Sequence, residues 1–349
     1  MKFKAAILEQ LKAPLVIDEV ENLPLEAGQV LVRIAASGIC GKQLVEIAGT
    51  LGPDRFLPHG LGHEAGCEVI GVGAGVRNVK PGDRCVAHWR KGVGIDAAPA
   101  KYKRAGGFVG VGPITTFSEY SVVSENRLTT IPEDIPFDIA ALFGCAVCTG
   151  LGLVTNEARL RIGESVAVLG AGGVGLNVVQ AAAIAGAYPI VAIDINSSKL
   201  QLAMELGATH GINVEPDHDG SVLRHCLGAA VPHGVDLFVE TTGVPHLIER
   251  AFSLTAPGGR LFLVGQMRHD QKISFNTLAM HAGRTMIASD GGATVPHVDI
   301  PRYLRLYSSG KLKLDRLITH RAPLEQINTL LDQVRAGRVG RAVIEMGNN

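Results

Sequence analysis

The sequence predicts an α/β plus β fold: an antiparallel, barrel-like β domain, interrupted by a doubly wound parallel-sheet domain and completed by the end of the chain. Three observations carry this. At 349 residues the chain exceeds one typical domain and falls short of three. From residue 30 to about 123, short β-rich runs are separated by Gly/Pro turns, whereas from Ser165 onward strands alternate with helix-length segments. After about Gly292 there is one amphipathic segment and one strand, too little for a core of its own. The expected division is 1–146, 147–290 and 291–349, the last part returning to the first.

In the first part, residues 30–34, 68–72 and 84–88 are enriched in β-branched and aliphatic side chains and bounded by turn residues, as strands are. In the second, residues 165–169, 189–193, 235–240, 260–264 and 285–289 are short, mostly apolar runs that alternate with helix-length segments, as strands of a parallel sheet do. In the tail, 324–334 has helical periodicity and 341–345 reads as a final strand. The opening run of apolar residues breaks at Glu9, far short of a signal-peptide core. The most membrane-like stretch, 174–193, carries Asn177, Gln180, Gly186 and Pro189, which suits a buried helix followed by a buried strand. The expectation is a cytoplasmic protein with no membrane partner, assembled as a homodimer or homotetramer.

Charge narrows the partners. With 33 basic and 33 acidic residues the net charge is zero, so no global field draws in nucleic acid or an anionic membrane, and a small molecule is the expected partner. Six cysteines (Cys40, Cys67, Cys85, Cys145, Cys148, Cys226) in a chain without an export signal argue for reduced thiols and metal ligation. Cys67, Cys85 and Cys226 fall in apolar text, where cysteine acts as a small hydrophobe.

The expected strand 165–169 runs directly into Gly170-Ala171-Gly172-Gly173-Val174-Gly175 and then an alanine-rich helix. Here Gly170 permits a tight turn, Gly172 lets backbone approach a pyrophosphate, and Gly175 lets helix and strand pack, with the anion on the helix N-terminus. The next strand ends at Asp194, 24 residues after Gly170, where an acid binds ribose hydroxyls and repels a 2′-phosphate. The expected cofactor is NAD. Asp194 also suits the N-cap of the following helix.

Before this domain, Cys40, His63-Glu64 and Cys145 each sit in glycine-rich turns and offer ligands that zinc accepts. A pairing of His59 with His63 on one helix face is opposed by Pro58, Gly60 and Gly62. Cys145-x-x-Cys148 lacks the second C-x-x-C that a four-thiolate site needs, which makes Cys148 a neighbour.

The segments Gly38-Ile39-Cys40-Gly41, Gly62-His63-Glu64-Ala65-Gly66, Gly82-Asp83-Arg84, Gly144-Cys145-Ala146 with Thr149-Gly150, and the Gly170 to Gly175 turn resemble, in order and spacing, the zinc-type medium-chain dehydrogenases. The resemblance spans nearly the whole chain. It implies a GroES-like catalytic domain with an inserted Rossmann domain, and one catalytic zinc on Cys40, His63 and Cys145 that Glu64 can join by exchange. It implies cofactor contacts from Thr149 and the turn (Gly170, Gly172, Gly173, Val174, Gly175), with Asp194 on the ribose and Arg341 reaching the pyrophosphate. The activity implied is interconversion of an alcohol and a ketone, hydride passing to NAD. Zinc-free quinone or enone reduction, and NAD binding without catalysis, stand as alternatives.

The chain also departs from that family. Residues 91–113 contain no cysteine where many members carry a structural zinc, so none is expected there. That stretch reads instead as a solvated loop with Arg90, Lys91, Lys101, Lys103 and Arg104, and a phosphorylated or nucleotide-linked substrate would give these cations a role. Positions where relatives keep a Ser/Thr proton relay and an Asp behind the zinc histidine hold Lys42 and Gln43, and the relay histidine's place holds Val45. Lys42 is thus a candidate proton acceptor, its alternative being solvent or Glu46. Gln43 can bond an imidazole without a charge, a weaker support. Trp89 is a candidate pocket wall. Its polar neighbours His88, Lys42, Gln43 and Glu46 point to a polyol, sugar or cyclitol.

Overall fold

The computed structural model describes residues 1–214, 221–337 and 339–347. Cα packing divides the chain into one unit of Met1–Cys145, Val295–Ser309 and Leu314–Asn349, and a second of Ala146–Thr294 and Gly310–Lys313.

The first unit opens with β1 (Lys2–Leu8), β2 (Val16–Asn22), β3 (Gln29–Ile39), helix α1 (Gly41–Ala48), β4 (His59–Gly60), β5 (Glu64–Val72) and β6 (Arg84–His88). It continues with β7 (Lys101–Arg104), β8 (Gly107–Gly110), β9 (Tyr120–Ser124), β10 (Leu128–Thr130) and α2 (Phe137–Phe143). In the second unit α3 (Ala146–Gly152) precedes β11 (Val166–Leu169), α4 (Gly173–Ile184), β12 (Ile190–Asp194), β13 (His210–Asn213), β14 (Val235–Glu240), β15 (Thr255–Leu263) and β16 (Thr285–Ala288). The chain then returns to the first unit through β17 (Ile318–Pro323), a helix at Ile327–Arg335 and β18 (Arg341–Glu345).

A closed barrel takes the order β1-β2-β7-β8-β4, and a seven-stranded sheet runs β10-β6-β5-β3-β18-β17, with β9 also on β3. The central strand β3 is Val/Leu/Ile/Ala-rich and buried along nearly its whole length, and β5, β9 and β18 pair with its backbone. The returning tail completes this core: Ile327, Leu330 and Leu331 pack with Ile34, Val69 and Phe117. Its strand β18 pairs antiparallel to β3 with Ala342 opposite Ile39, while β5 sets Ala65 opposite Ser37 and Glu64 opposite His88. Three registers thereby bring Arg341, the end of β3 and Glu64 to one place.

Part of the stretch expected as a solvated loop is strand instead: β7 and β8 form a hairpin in the barrel, while residues 91–100 are loop. Arg104 ion-pairs with Glu9 through both terminal nitrogens and lies 3.6 Å from Asp18, while Lys91 lies 2.6 Å from Asp96. Arg104 is thereby tied into the barrel, whereas the Lys91–Asp96 pair lies at the surface.

The second unit's sheet runs β13-β12-β11-β14-β15-β16, every pair parallel, with α4 and its successors as crossovers. The order reverses between β11 and β14, the switch point at which such sheets bind ligands. The edge strand β13 escapes the sequence pattern because it buries only Ile212. Among the described residues no single helix is long and apolar enough to cross a membrane.

One buried group sets a pH limit. The His88 Nδ1–H donates to the Arg90 carbonyl at 2.7 Å, and Nε2 accepts from Thr129 Oγ1 at 3.0 Å, so the neutral ring is satisfied. Burial therefore pushes its pKa down to about 4. The unfolded ring takes up a proton near pH 6.5 and the native ring does not until about pH 4. Stability should therefore fall as pH drops through that window, by about 3 kcal/mol in all. In His88→Asn that slope should be absent from the pH dependence of the denaturation midpoint. An identical slope in both proteins would refute the assignment.

Candidate metal centre and cofactor turn

Cys40 ends the extended run of β3 and caps α1, whose third residue Gln43 reaches back to accept the Cys40 N–H at 2.8 Å. His63 immediately precedes β5, and Cys145 follows α2. That helix end comes close to β5 because residue 144 is glycine: a Cβ there would lie 2.5 Å from the Ala87 carbonyl and 2.6 Å from Glu64 Cβ. The ligand atoms of Cys40, His63 and Cys145 all lie within 4.8 Å of one another. Two thiols and an imidazole so placed supply the three protein ligands and leave the fourth position that a catalytic zinc requires.

The surroundings fit a cation. Arg341 Nη2 donates to Glu64 Oε1 in an ion pair whose side chains are 4% and 0% exposed. Glu64 Oε2 is buried with no hydrogen-bond partner among the described residues, an orphan that a metal would satisfy. The Cys145 thiol hydrogen-bonds Cys40 and holds it well below the usual thiol range, with His63 helping against burial. The same bond, with burial and the Cys40 charge, pushes Cys145 well above it. Burial works to lower His63, but the hydrogen bond and charge of Cys40 outweigh it and raise it. Burial likewise raises Glu64 against the pull of Arg341. A divalent cation bound here would take the place of the protons on the two thiols.

Gln43 carries a conflict visible only in the geometry. Its Nε2 lies 2.6 Å from His63 Nδ1 while Oε1 serves the Cys40 N–H. Metal binding through Nε2 of His63 would leave the proton on Nδ1, and that N–H would then face the Gln43 NH2, donor against donor. A carboxylate would accept both.

The other expected residues are placed as follows. Lys42 is half-buried in the first turn of α1, and Trp89 is half-buried against the β core with Arg90 5.5 Å from its ring centre. His59 bonds Asp54 at 2.7 Å, apart from the His63 group. Cys148 lies in α3, outside the ligand group, its carbonyl accepting from Thr294.

In the second unit Gly170 adopts φ +98, and a Cβ there would meet Thr241 Oγ1 at 2.3 Å; one on Gly175 would lie 2.0 Å from the Gly170 carbonyl. Gly172 has nothing within 4 Å of its Cβ position, and it caps α4, which Gly173 and Val174 begin. The turn thus leaves open space at a helix N-terminus, the arrangement that binds phosphate. Thr149 is buried in α3. Asp194 ends β12, with Oδ2 accepting the Ala171 N–H at 2.7 Å and Oδ1 the Asn196 N–H at 2.9 Å. The helix that follows is capped by Asn196, not Asp194.

Comparison with known proteins agrees with this architecture. Residues 26–133 match the alcohol dehydrogenase GroES-like domain, and residues 173–309 the zinc-binding dehydrogenase family. Alcohol dehydrogenase 1 of Trifolium repens is 32% identical over 376 residues, covering 99% of this chain and 97% of its own. The crystal structure of an alcohol dehydrogenase zinc-binding domain protein from Burkholderia ambifaria superposes with a TM-score of 0.90 at 29% identity, over 100% of both chains. The 2R,3R-butanediol dehydrogenase of Bacillus subtilis does so at 0.79 and 26% identity, over 99% of this chain and 100% of its own. Full-length identity above 30% and both domain matches establish that the chain is an oxidoreductase of the zinc-type medium-chain alcohol dehydrogenase family.

Proposed function

We propose that the chain interconverts a secondary alcohol and its ketone on a polar substrate (a polyol, sugar or cyclitol), with NAD as hydride carrier and one zinc on Cys40, His63 and Cys145. The observation that carries this is the convergence of those three ligands beside the buried Glu64–Arg341 pair. Zinc, when bound there, supplies a Lewis acid that stabilises negative charge on the alcohol oxygen. Glu64 offers its unpartnered oxygen for exchange onto the metal, and Arg341 is the residue that the family resemblance assigns to the cofactor pyrophosphate. Thr149 and the Gly170 to Gly175 turn hold the cofactor, and Asp194 selects NAD by repelling a 2′-phosphate. Arg104 and Lys91 each have an acidic partner, which leaves the exposed Lys101 and Lys103 of that stretch to meet a phosphorylated or nucleotide-linked substrate.

Metal analysis and an activity screen on one sample test this reading, using butane-2,3-diol, sorbitol, myo-inositol and benzyl alcohol with NAD and NADP. The expected result is one zinc per chain and reduction of NAD in preference to NADP, with Asp194→Ala narrowing that preference. A zinc-free protein active only on quinones or enones would overturn it.

We infer further that the chain forms a homodimer, or a tetramer built from it. Strand β16 is an open sheet edge, with Ile287 42% exposed and Leu278 and Met280 of the preceding helix 71% and 41% exposed. Light scattering should report a mass of at least twice 36.7 kDa; a monomer at micromolar concentration would contradict it.

A further inference from the structure

Four of the six residues from Gly170 to Gly175 are glycine, so the turn has backbone freedom that its own side chains do not restrict. Ordering it only when a cofactor arrives would cost affinity. Two neighbouring strand ends brace it in advance. On the β12 side, Asp194 accepts the Ala171 N–H at 2.7 Å. On the β14 side, the Thr241 N–H donates to the Leu169 carbonyl at 2.9 Å, and Thr241 Oγ1 lies 3.0 Å from the carbonyl oxygens of both Leu169 and Gly170. Glycine at 170 permits that approach, since a Cβ there would stand 2.3 Å from Thr241 Oγ1.

Thr241 is held in place by the residue before it. Glu240, the last residue of β14, stands opposite Leu169 of β11 and is 0% exposed. Its Oε1 accepts the Thr242 N–H at 2.5 Å, the Thr242 hydroxyl and the Gly243 N–H at 3.1 Å, and Oε2 lies 3.1 Å from the same Gly243 nitrogen. Donors on two consecutive residues thus converge on one carboxylate, whose ionised form only accepts. Burial raises the Glu240 pKa, and these donors work against that. The clamped turn is also wedged against the end of β15. The Glu240 carbonyl accepts the Val264 and Gly265 N–H groups at 2.8 and 3.1 Å, and a Cβ on Gly265 would lie 2.1 Å from Gly243 N. The ends of β11, β14 and β15 are therefore one linked piece at the point where the strand order reverses.

We propose that Glu240 is a positioning residue for the cofactor: by clamping residues 241–243 it keeps Thr241 on the Gly170 carbonyl, and so keeps the glycine turn in the shape that receives a pyrophosphate. The proposal rests on the NAD reading above and deepens it. Glu240 acts only through Thr241 and needs no contact with the cofactor. Glu240→Gln keeps the side-chain volume but replaces one oxygen with an NH2 among N–H donors, which opens the clamp. The pyrophosphate is common to NAD and NADP, so opening the clamp weakens both alike. Loss of Asp194, by contrast, changes the choice between them.

Two measurements on the zinc-loaded full chain test this. In calorimetric titrations, Glu240→Gln should weaken ADP about 10-fold and should weaken NAD and NADP by that same factor. Adenosine, which lacks the phosphates, should bind as it does to the wild-type chain. With no ligand present, amide hydrogen exchange across residues 169–175 should be faster in Glu240→Gln. Thr241→Val should reproduce both effects, and Thr241→Ser, which keeps the hydroxyl, should behave as wild type. A Glu240→Gln chain with wild-type ADP affinity and turn protection, or one that loses adenosine as much as ADP, would overturn the proposal. If the wild-type chain binds neither ADP nor NAD, the NAD reading fails on its own, while hydrogen exchange still decides whether Glu240 holds the turn. If Glu240→Gln does not fold, Thr241→Val carries both measurements, and wild-type behaviour there overturns the proposal.

Discussion

Cys145→Ala is expected to empty the metal site and to lower alcohol oxidation by about 1,000-fold or more, the rate equivalent of the several kcal/mol a Lewis acid contributes. The variant leaves only Cys40 and His63 of a group whose ligand atoms lie within 4.8 Å of one another. Losing a ligand should cost more metal affinity than the about 10–100-fold typical of losing a ligand's hydrogen-bond partner. Elemental analysis after dialysis against a chelator, paired with NAD reduction by butane-2,3-diol, checks both effects. A variant that keeps its zinc and its rate would remove Cys145 from the site. Gln43→Glu should act in the opposite direction on the metal: a carboxylate offers one oxygen to Cys40 N and the other to His63 Nδ1, where the amide turns an NH2 toward the imidazole. Zinc should then leave more slowly to the chelator than in the wild-type chain.

How far the sequence could be read depended on whether a feature is local. The runs at 84–88 and 341–345 are strands to the residue, because each is a short apolar stretch closed at both ends by a polar or charged residue. The Gly170 to Gly175 turn is legible for the same reason: strand, turn and helix are consecutive. Cys40, His63 and Cys145 could be named as chemistry, but their convergence depends on strand registers and on a glycine contact between α2 and β5, which no local pattern contains. Hairpin β7–β8 read as loop because Lys-Tyr-Lys-Arg looks solvated until Glu9 and Asp18 are seen to meet Arg104. Asp54 and His59 gave no signal, since a contact five residues apart around a proline is neither helical nor strand-like. Gln43 read as one hydrogen bond to a histidine; its second duty, on the Cys40 N–H, belongs to cap geometry.

Arg341→Ala should destabilise the first unit by about 3–5 kcal/mol, because it leaves the Glu64 carboxylate buried without its counter-ion. No water can replace the guanidinium cheaply, as neither side chain is more than 4% exposed. Strand pairing makes the loss specific to this position: β18 is held on β3 by backbone bonds whatever side chain stands at 341, so the strand stays and the charge is orphaned. The double variant Glu64→Gln with Arg341→Met removes both charges and should recover most of the stability, since two neutral side chains demand far less of a buried site than one unpaired ion. Denaturant titrations of the single and double variants separate the two explanations open for a weak Arg341→Ala protein. If the loss came from packing, the double variant would be no better than the single one. Recovery in the double variant together with a normal zinc content would show that Arg341 serves first to make a buried Glu64 tolerable beside the metal ligands. Whatever donors it retains for a cofactor would then act on top of that duty.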